Sequence, residues 1–322
     1  MQLVTRVKLA FDTRMARKNT LQTRLEFFAA KAAFSLLGLM PRKAAIWCAT
    51  RILLLVPILL PKLRGIGLTN LAIAFPERSL EEREAIFRGT FENLGRVIGE
   101  MTQFHKYDRE RLAELIDFQL DETSRRLYAL QKAGTGVLIT TGHMGNWEML
   151  VLGFAALYEP ISFLARPLDN PLLEQMLNVH RTRYGNEPIS KRNSVMLAAR
   201  ILSDGGILGV LSDVNVQQKD GVFVPFFGEL ACTTAGPAML AIRSGALIYP
   251  TFCVWDKEIS RYRFVHGAVV TPRNTGDRKQ DVIDTTAAYT SEIEKIIRRY
   301  PDQWMWIHKR WKTRPPGEAE LY

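Results

Sequence analysis

The pattern of apolar and polar positions divides the chain in two. Residues 27–60 are apolar with few interruptions, by Lys31, the Pro41-Arg42-Lys43 group and Arg51. The longest uncharged pieces, 32–41 and 52–61, reach about half of the roughly 20 apolar residues that a spanning helix needs. Further on, helical and strand periodicities alternate. A helix is predicted over 80–100, with Ser79 as N-cap and Glu82 three residues on, the capping-box arrangement. Another follows over 109–116. From Gly136 the chain reads as a strand (Val137-Leu138-Ile139-Thr140-Thr141), a glycine turn and a helix over 147–158. Then come a strand over 161–165, helices over 171–184 and 194–203, and a strand over 207–211. A helix over 234–244, strands over 246–255 and 261–270, and a helix over 281–299 complete the series.

Strands alternating with helices of about 10–15 residues predict βαβ units. The fold class expected is α/β, a mostly parallel central sheet flanked by helices, with N-terminal helices attached. There is no internal repeat or low-complexity tract. The one soft boundary, near Pro61-Lys62-Leu63-Arg64, separates a helical attachment (1–60) from an α/β domain (61–322).

Charge sharpens the reading of the first segment. Arg6, Lys8, Arg14, Arg17, Lys18 and Arg24 face a single acid, Asp12, within the first 24 residues. A basic arm followed by interrupted apolar helices suits a membrane interface with anionic head groups; a pair of ordinary core helices is the alternative. A cleavable signal peptide is not expected, because the apolar stretch starts late and no small-residue cleavage site follows it. The whole chain of 322 residues carries 43 basic and 33 acidic side chains, a net +10. That favours an anionic partner: phospholipid, nucleic acid or an acidic carrier protein. Nucleic acid is the weaker choice, since the basic residues are not interleaved with aromatics on one strand face. The three cysteines, Cys48, Cys232 and Cys253, are too scattered for a disulfide framework or a zinc site.

In an open α/β sheet, ligands bind beyond the carboxyl ends of the strands. His143, Arg166 and Asp213 each follow a predicted strand there. His143 and Glu148 form H-x-x-x-x-E. On a continuous helix they would lie about 140° apart. Gly142 and Gly145 instead put His143 in a turn, from which the imidazole can fold back over Glu148. A carboxylate on one ring nitrogen fixes the tautomer and makes the other nitrogen a base suited to an alcohol. An ordinary surface or core pair is the alternative. His105, His180, His266 and His308 lack the glycine-turn setting and read as structural or solvated. No G-x-S-x-G elbow, Walker loop, G-x-G-x-x-G or H-E-x-x-H occurs. Direct group transfer therefore fits better than hydrolysis through a covalent intermediate. Arg181 and Arg183 point about 200° apart on one helix, so only one faces a site. The segment Gly221-Val222-Phe223-Val224-Pro225-Phe226-Phe227-Gly228 either walls a fatty chain or is a core strand.

Together these residues resemble the late acyltransferases of lipid A biosynthesis, within the wider glycerolipid acyltransferase superfamily. Gly142-His143-Met144-Gly145-Asn146-Trp147-Glu148 is similar to the superfamily's H-x-x-x-x-D/E block. Arg64, Asn70-Leu71 and Phe75-Pro76 resemble the family's entry segment. Arg166-Pro167, Asn170 and Arg181-Thr182-Arg183 resemble its arginine block. Asp213, Phe223-Val224-Pro225-Phe226-Phe227 and Thr233-Thr234 resemble its aspartate block, and Trp306-Ile307-His308-Lys309-Arg310-Trp311-Lys312-Thr313-Arg314-Pro315 its terminus. These blocks run in order from residue 25 on.

The resemblance implies an ester-forming transferase at the cytoplasmic face of the bacterial inner membrane. It would take an acyl chain from acyl carrier protein or coenzyme A and place it on a hydroxyl of a lipid A precursor. His143 would be the base and Glu148 its partner. Arg166, Arg181 and Asp213 would serve the substrates, and Arg166 and Arg181 would bind phosphate. Backbone N–H groups near Asn146 would stabilise the oxyanion. No cofactor and no metal is implied. After Asp213 the chain reads Val214-Asn215-Val216-Gln217-Gln218, where the best-known members have D-x-D-Y-G. That opens the alternative of another acceptor: a different glycolipid, an ornithine lipid or a lysophospholipid.

Overall fold

The computed structural model describes residues 20–190 and 194–322. Most of the basic arm, residues 1–19, lies outside them. Four helices lead: α1 (Thr20–Leu39), α2 (Arg42–Leu59), α3 (Pro61–Ala74) and α4 (Leu80–Met101). The predicted capping box is present on α4, with Glu82 N–H donating to Ser79 Oγ and Ser79 N–H to the Glu82 carboxylate. Then come α5 (Arg109–Leu115), β1 (Ile116–Asp117), α6 (Glu122–Lys132), β2 (Val137–Thr141), α7 (Trp147–Leu157), β3 (Ser162–Ala165), α8 (Pro171–Arg181) and β4 (Glu187–Ser190). The chain continues through α9 (Ser194–Ser203), β5 (Ile207–Leu211), β6 (Gly221–Phe226), β7 (Glu229–Thr234), α10 (Gly236–Ser244), β8 (Leu247–Asp256), β9 (Arg261–His266) and α11 (Arg278–Arg299).

The main sheet has seven strands in the order β1-β9-β8-β2-β5-β3-β4. The five strands β8, β2, β5, β3 and β4 are parallel, whereas β9 is antiparallel to β8 and β1 runs with β9. The sheet is therefore mostly parallel, as the alternating pattern predicts. Strand β2 lies between β5 and β8 and is buried throughout. A strand covered on both faces needs an unbroken apolar run rather than an alternating one. Its side chains serve two cores in turn. Leu138 joins Leu208, Ile248, Phe252 and the C-terminal tryptophans. Val137 and Ile139 join Phe154, Tyr249 and Phe264.

Some expectations change on contact with the structure. The segment around 221–228, read either as a wall for a fatty chain or as a core strand, is a strand whose end, Phe226 and Phe227, lies in the core. It pairs antiparallel with β7, and Phe226 and Phe227 pack with Phe75, Trp304 and Trp306. Helix α6 carries no clear apolar stripe in the sequence; it is held by its Asp121 cap and by Leu127 and Tyr128. Pro61 begins α3 at its first turn, where its missing N–H costs nothing. Helices α2 and α3 meet at 91°. Among the described residues no single helix is long and apolar enough to cross a membrane, although this bent pair passes by length and composition. Leu25, Phe28, Leu36, Trp47, Ile52, Ile58 and Leu59 are exposed on these helices.

Candidate functional site

The tips of β2 and β5 are side by side, with Thr141 in register with Leu211. Two positions beyond each strand end is a polar residue: His143 after β2, Asp213 after β5. The turn between β2 and α7 depends on its glycines. A side chain at Gly142 would fall 2.7 Å from the Asp213 carboxyl carbon. Gly145 has φ +59, and a Cβ there would fall 2.1 Å from the Cys253 carbonyl oxygen. Asn146 then caps α7 by accepting from Met149 N–H at 2.9 Å.

Asp213 is the centre of this turn. Its Oδ2 accepts from His143 N–H at 2.7 Å and from Trp304 Nε1–H at 2.9 Å. Its Oδ1 lies 3.0 Å from His143 Nδ1. An ionised carboxylate only accepts, so the proton belongs on Nδ1 and the lone pair on Nε2. Nε2 has no hydrogen-bond partner among the described residues. Full burial opposes charge on Asp213, but the His143 charge and hydrogen bond, His308 and the Trp304 N–H overcome it and hold the carboxyl well below its usual range. Burial likewise opposes charge on His143, yet Asp213, with a smaller contribution from Glu148, raises its pKa.

Asp213, not Glu148, is therefore the carboxylate on the imidazole, a correction to the expectation from spacing. Glu148 sits in the first turn of α7 and faces α8. There Arg181 Nε donates to it at 2.8 Å, and Nη2 makes a second bond to the other oxygen. The pair is almost buried, with side-chain exposures of 17% for Arg181 and 7% for Glu148. Burial opposes the Arg181 charge, and the bonds to Glu148 reverse this and raise its pKa. Arg166 is not brought to this cluster. It is exposed and reaches Asp169 at 3.7 Å.

The C-terminal segment forms the floor. Met144 and Trp304 are bridged, Met305 N–H donates to His143 O at 2.9 Å, and Gly145 N–H donates to Gln303 O at 3.0 Å. Asn70 of the entry segment holds this floor, donating to the carbonyls of Trp306 and His308. Arg310 is fully buried between Cys232 O, Thr233 Oγ1 and the Phe226 ring, and burial pulls its pKa down to about 10. Asn215, where the family pattern carries an acid, exchanges two hydrogen bonds with Thr313, each of 3.0 Å. Trp304 lies 91 positions from Asp213, and Arg310 lies 78 and 77 from Cys232 and Thr233, so spacing could not reveal these roles.

The N–H groups of Met144, Gly145 and Asn146 are all given to protein carbonyls. The expected oxyanion donors therefore narrow to Trp147 and Glu148, whose N–H groups a helix start leaves without intrahelical partners. Two cavities meet at the Glu148–Arg181 pair. One, of about 410 Å³, opens between α1 and α8 and has walls of Phe34, Leu39, Met101, Leu152, Met176 and Leu177. The other is an apolar slot of about 60 Å³ against the sheet, lined by Leu150, Phe163, Leu211 and Trp147. Trp147 also meets the His143 ring edge-on, at a centroid distance of 5.3 Å. No group of three His, Cys, Asp or Glu side chains converges as metal ligands would among the described residues.

A sequence profile described as bacterial lipid A biosynthesis acyltransferase matches residues 14–313. The lipid A biosynthesis palmitoleoyltransferase of Escherichia coli K12 is 31% identical over 288 residues, 88% of this chain and 90% of that protein. The lipid A biosynthesis lauroyltransferase of the same strain is 30% identical over 255 residues, 79% of this chain and 80% of that protein. A phosphatidylinositol mannoside acyltransferase of Mycolicibacterium smegmatis is 26% identical over 247 residues, covering 75% and 77%.

Proposed function

We propose, for a chain that belongs to the bacterial lipid A biosynthesis acyltransferase family and is an acyltransferase, that it moves a fatty acyl chain from a carrier thioester onto a hydroxyl of a lipid A precursor. The observation that carries the chemistry is the hydrogen bond between His143 Nδ1 and a buried, ionised Asp213. His143 Nε2 removes the proton from the acceptor hydroxyl. The oxygen attacks the thioester carbonyl, the C–S bond breaks, and the imidazolium returns its proton to the departing thiolate. Asp213 stabilises the imidazolium and fixes its tautomer. The first-turn N–H groups of α7 face the developing oxyanion, in a region where the helix dipole favours negative charge. Glu148, held by Arg181, lines both cavities and fixes α7 against α8, which positions substrate rather than moving a proton.

The donor is acyl carrier protein or coenzyme A, and the chain works at the cytoplasmic face of the inner membrane. The exposed apolar residues of α1 and α2, following a basic arm, support a seat in the lipid interface. A second acceptor class, another glycolipid, is favoured by one observation. Asn215 is committed to Thr313 where the best-known members place an acid, and one relative is named for a phosphatidylinositol mannoside. The test is acyl transfer in detergent from lauroyl- and myristoyl-carrier protein to Kdo2–lipid IVA, with a membrane lipid extract in parallel. Labelling of Kdo2–lipid IVA, abolished in His143→Ala, supports the first acceptor. Labelling only of a different lipid in the extract selects the second. No labelled lipid in either sinks the reading.

A further inference from the structure

The cavity between α1 and α8 has an unequal share of charge. Among the described residues its only acid is Glu148, which Arg181 neutralises. Three further side chains that are or can be cationic line it, each from a different element: Lys31 from α1, His105 from the short turn Phe104–Lys106, and His180 from α8. None of the three forms an ion pair with an acid among the described residues, and Glu148 acts on His180 only at longer range. Burial, with His105 and Arg183 nearby, depresses the His180 pKa. An anion among these groups would relieve that repulsion. The rest of the wall is apolar, and the helix that supplies Lys31 presents Leu25, Phe28 and Leu36 outward. Lys31, as a cation, and the two imidazoles, as N–H donors, thus sit beside a surface fit for lipid, where phosphates of membrane lipids lie. An acidic peptide would have no use for the apolar wall.

We propose that Lys31, His105 and His180 form a phosphate-ester subsite that seats the head group of the acceptor lipid while its hydrocarbon lies along Phe34, Leu39, Met176 and Leu177. The ligand's identity rests on the acyltransferase reading above; the site itself rests on the cavity. The phosphopantetheine arm of the donor carries the same chemistry, and kinetics separates the two sources. Lys31 and His105 are exposed, so Lys31→Ala and His105→Ala should leave the fold intact, as circular dichroism would verify.

The experiment measures binding of Kdo2–lipid IVA and of its enzymatically dephosphorylated form in detergent, by calorimetry, alongside steady-state kinetics for both substrates. Losing a hydrogen bond to a charged group should raise the acceptor Kd and KM by about 10- to 100-fold. Wild-type protein should lose a similar factor on the dephosphorylated lipid, and the variants should then lose little more. A rise confined to the donor KM would overturn the acceptor assignment and give the subsite to the phosphopantetheine. Equal losses on both lipids, or none on either, would overturn the subsite. If the wild type binds the lipid without acylating it, the functional reading fails while the binding comparison still decides this one.

Discussion

Two largely buried polar pairs flank the same turn, and they differ in kind. His143–Asp213 joins the tips of neighbouring parallel strands. It is buttressed by a tryptophan N–H and a backbone N–H. Its imidazole keeps one nitrogen without a partner. Arg181–Glu148 joins two helices and is bidentate, each carboxylate oxygen accepting from the guanidinium. On the proposed mechanism the first pair moves a proton and the second holds a wall. An H-x-x-x-x-E spacing thus brings two functional side chains to one site without making them each other's partners.

Breaking the first pair should have the larger effect. His143→Ala removes the base and should lower kcat/KM by about 10²–10⁴-fold, read by single-turnover acyl transfer. Asp213→Asn should cost a loss of similar order, because the amide lets the imidazole take the wrong tautomer. Its second signature is in the pH profile. The base must be neutral to act, and its pKa in the folded protein is raised. Activity should therefore climb with pH along a limb above the ordinary histidine value of about 6.5. In Asp213→Asn that limb should move to lower pH.

Breaking the second pair should register first in stability. Removing one partner leaves a buried charge uncompensated, at a cost of about 3–5 kcal/mol. Arg181→Met should lower the denaturation midpoint strongly, and adding Glu148→Gln should recover part of the loss. A double mutant no better than the sum of the single changes would contradict a paired structural role. The smallest effect expected is in Trp304→Phe, which keeps an aromatic ring and deletes one donor to Asp213. Asp213 should then concentrate its charge on His143 and move the acid limb slightly upward, with only a modest loss of rate.

The same contrast explains what the chain's own pattern reveals. Strands such as Val137–Thr141 and Ile207–Leu211 are legible to the residue. The first lies between Gly136 and Gly142 and the second follows Gly206, and both are short runs of β-branched or apolar residues. The capping box at Ser79 is legible because both its bonds are local. His143 and Asp213 are legible as candidates, since each follows a parallel strand. Their bond is not, because the register of β2 against β5 sets it across 70 positions. Trp304, Asn70 and Arg310 are further still from local pattern. They act through the C-terminal segment that returns beneath the turn. Arg166 also follows a strand at that edge, but its side chain is exposed and reaches Asp169 rather than the His143 cluster.

The most direct measurement is the pKa of His143, followed by NMR of a selectively labelled imidazole in wild type, Asp213→Asn and Glu148→Gln. If Asp213 is the partner, its amide variant should lower that pKa markedly and shift the Nδ1 resonance, while Glu148→Gln should lower it only slightly. A large drop in Glu148→Gln with little change in Asp213→Asn would contradict the assignment and return the imidazole to Glu148.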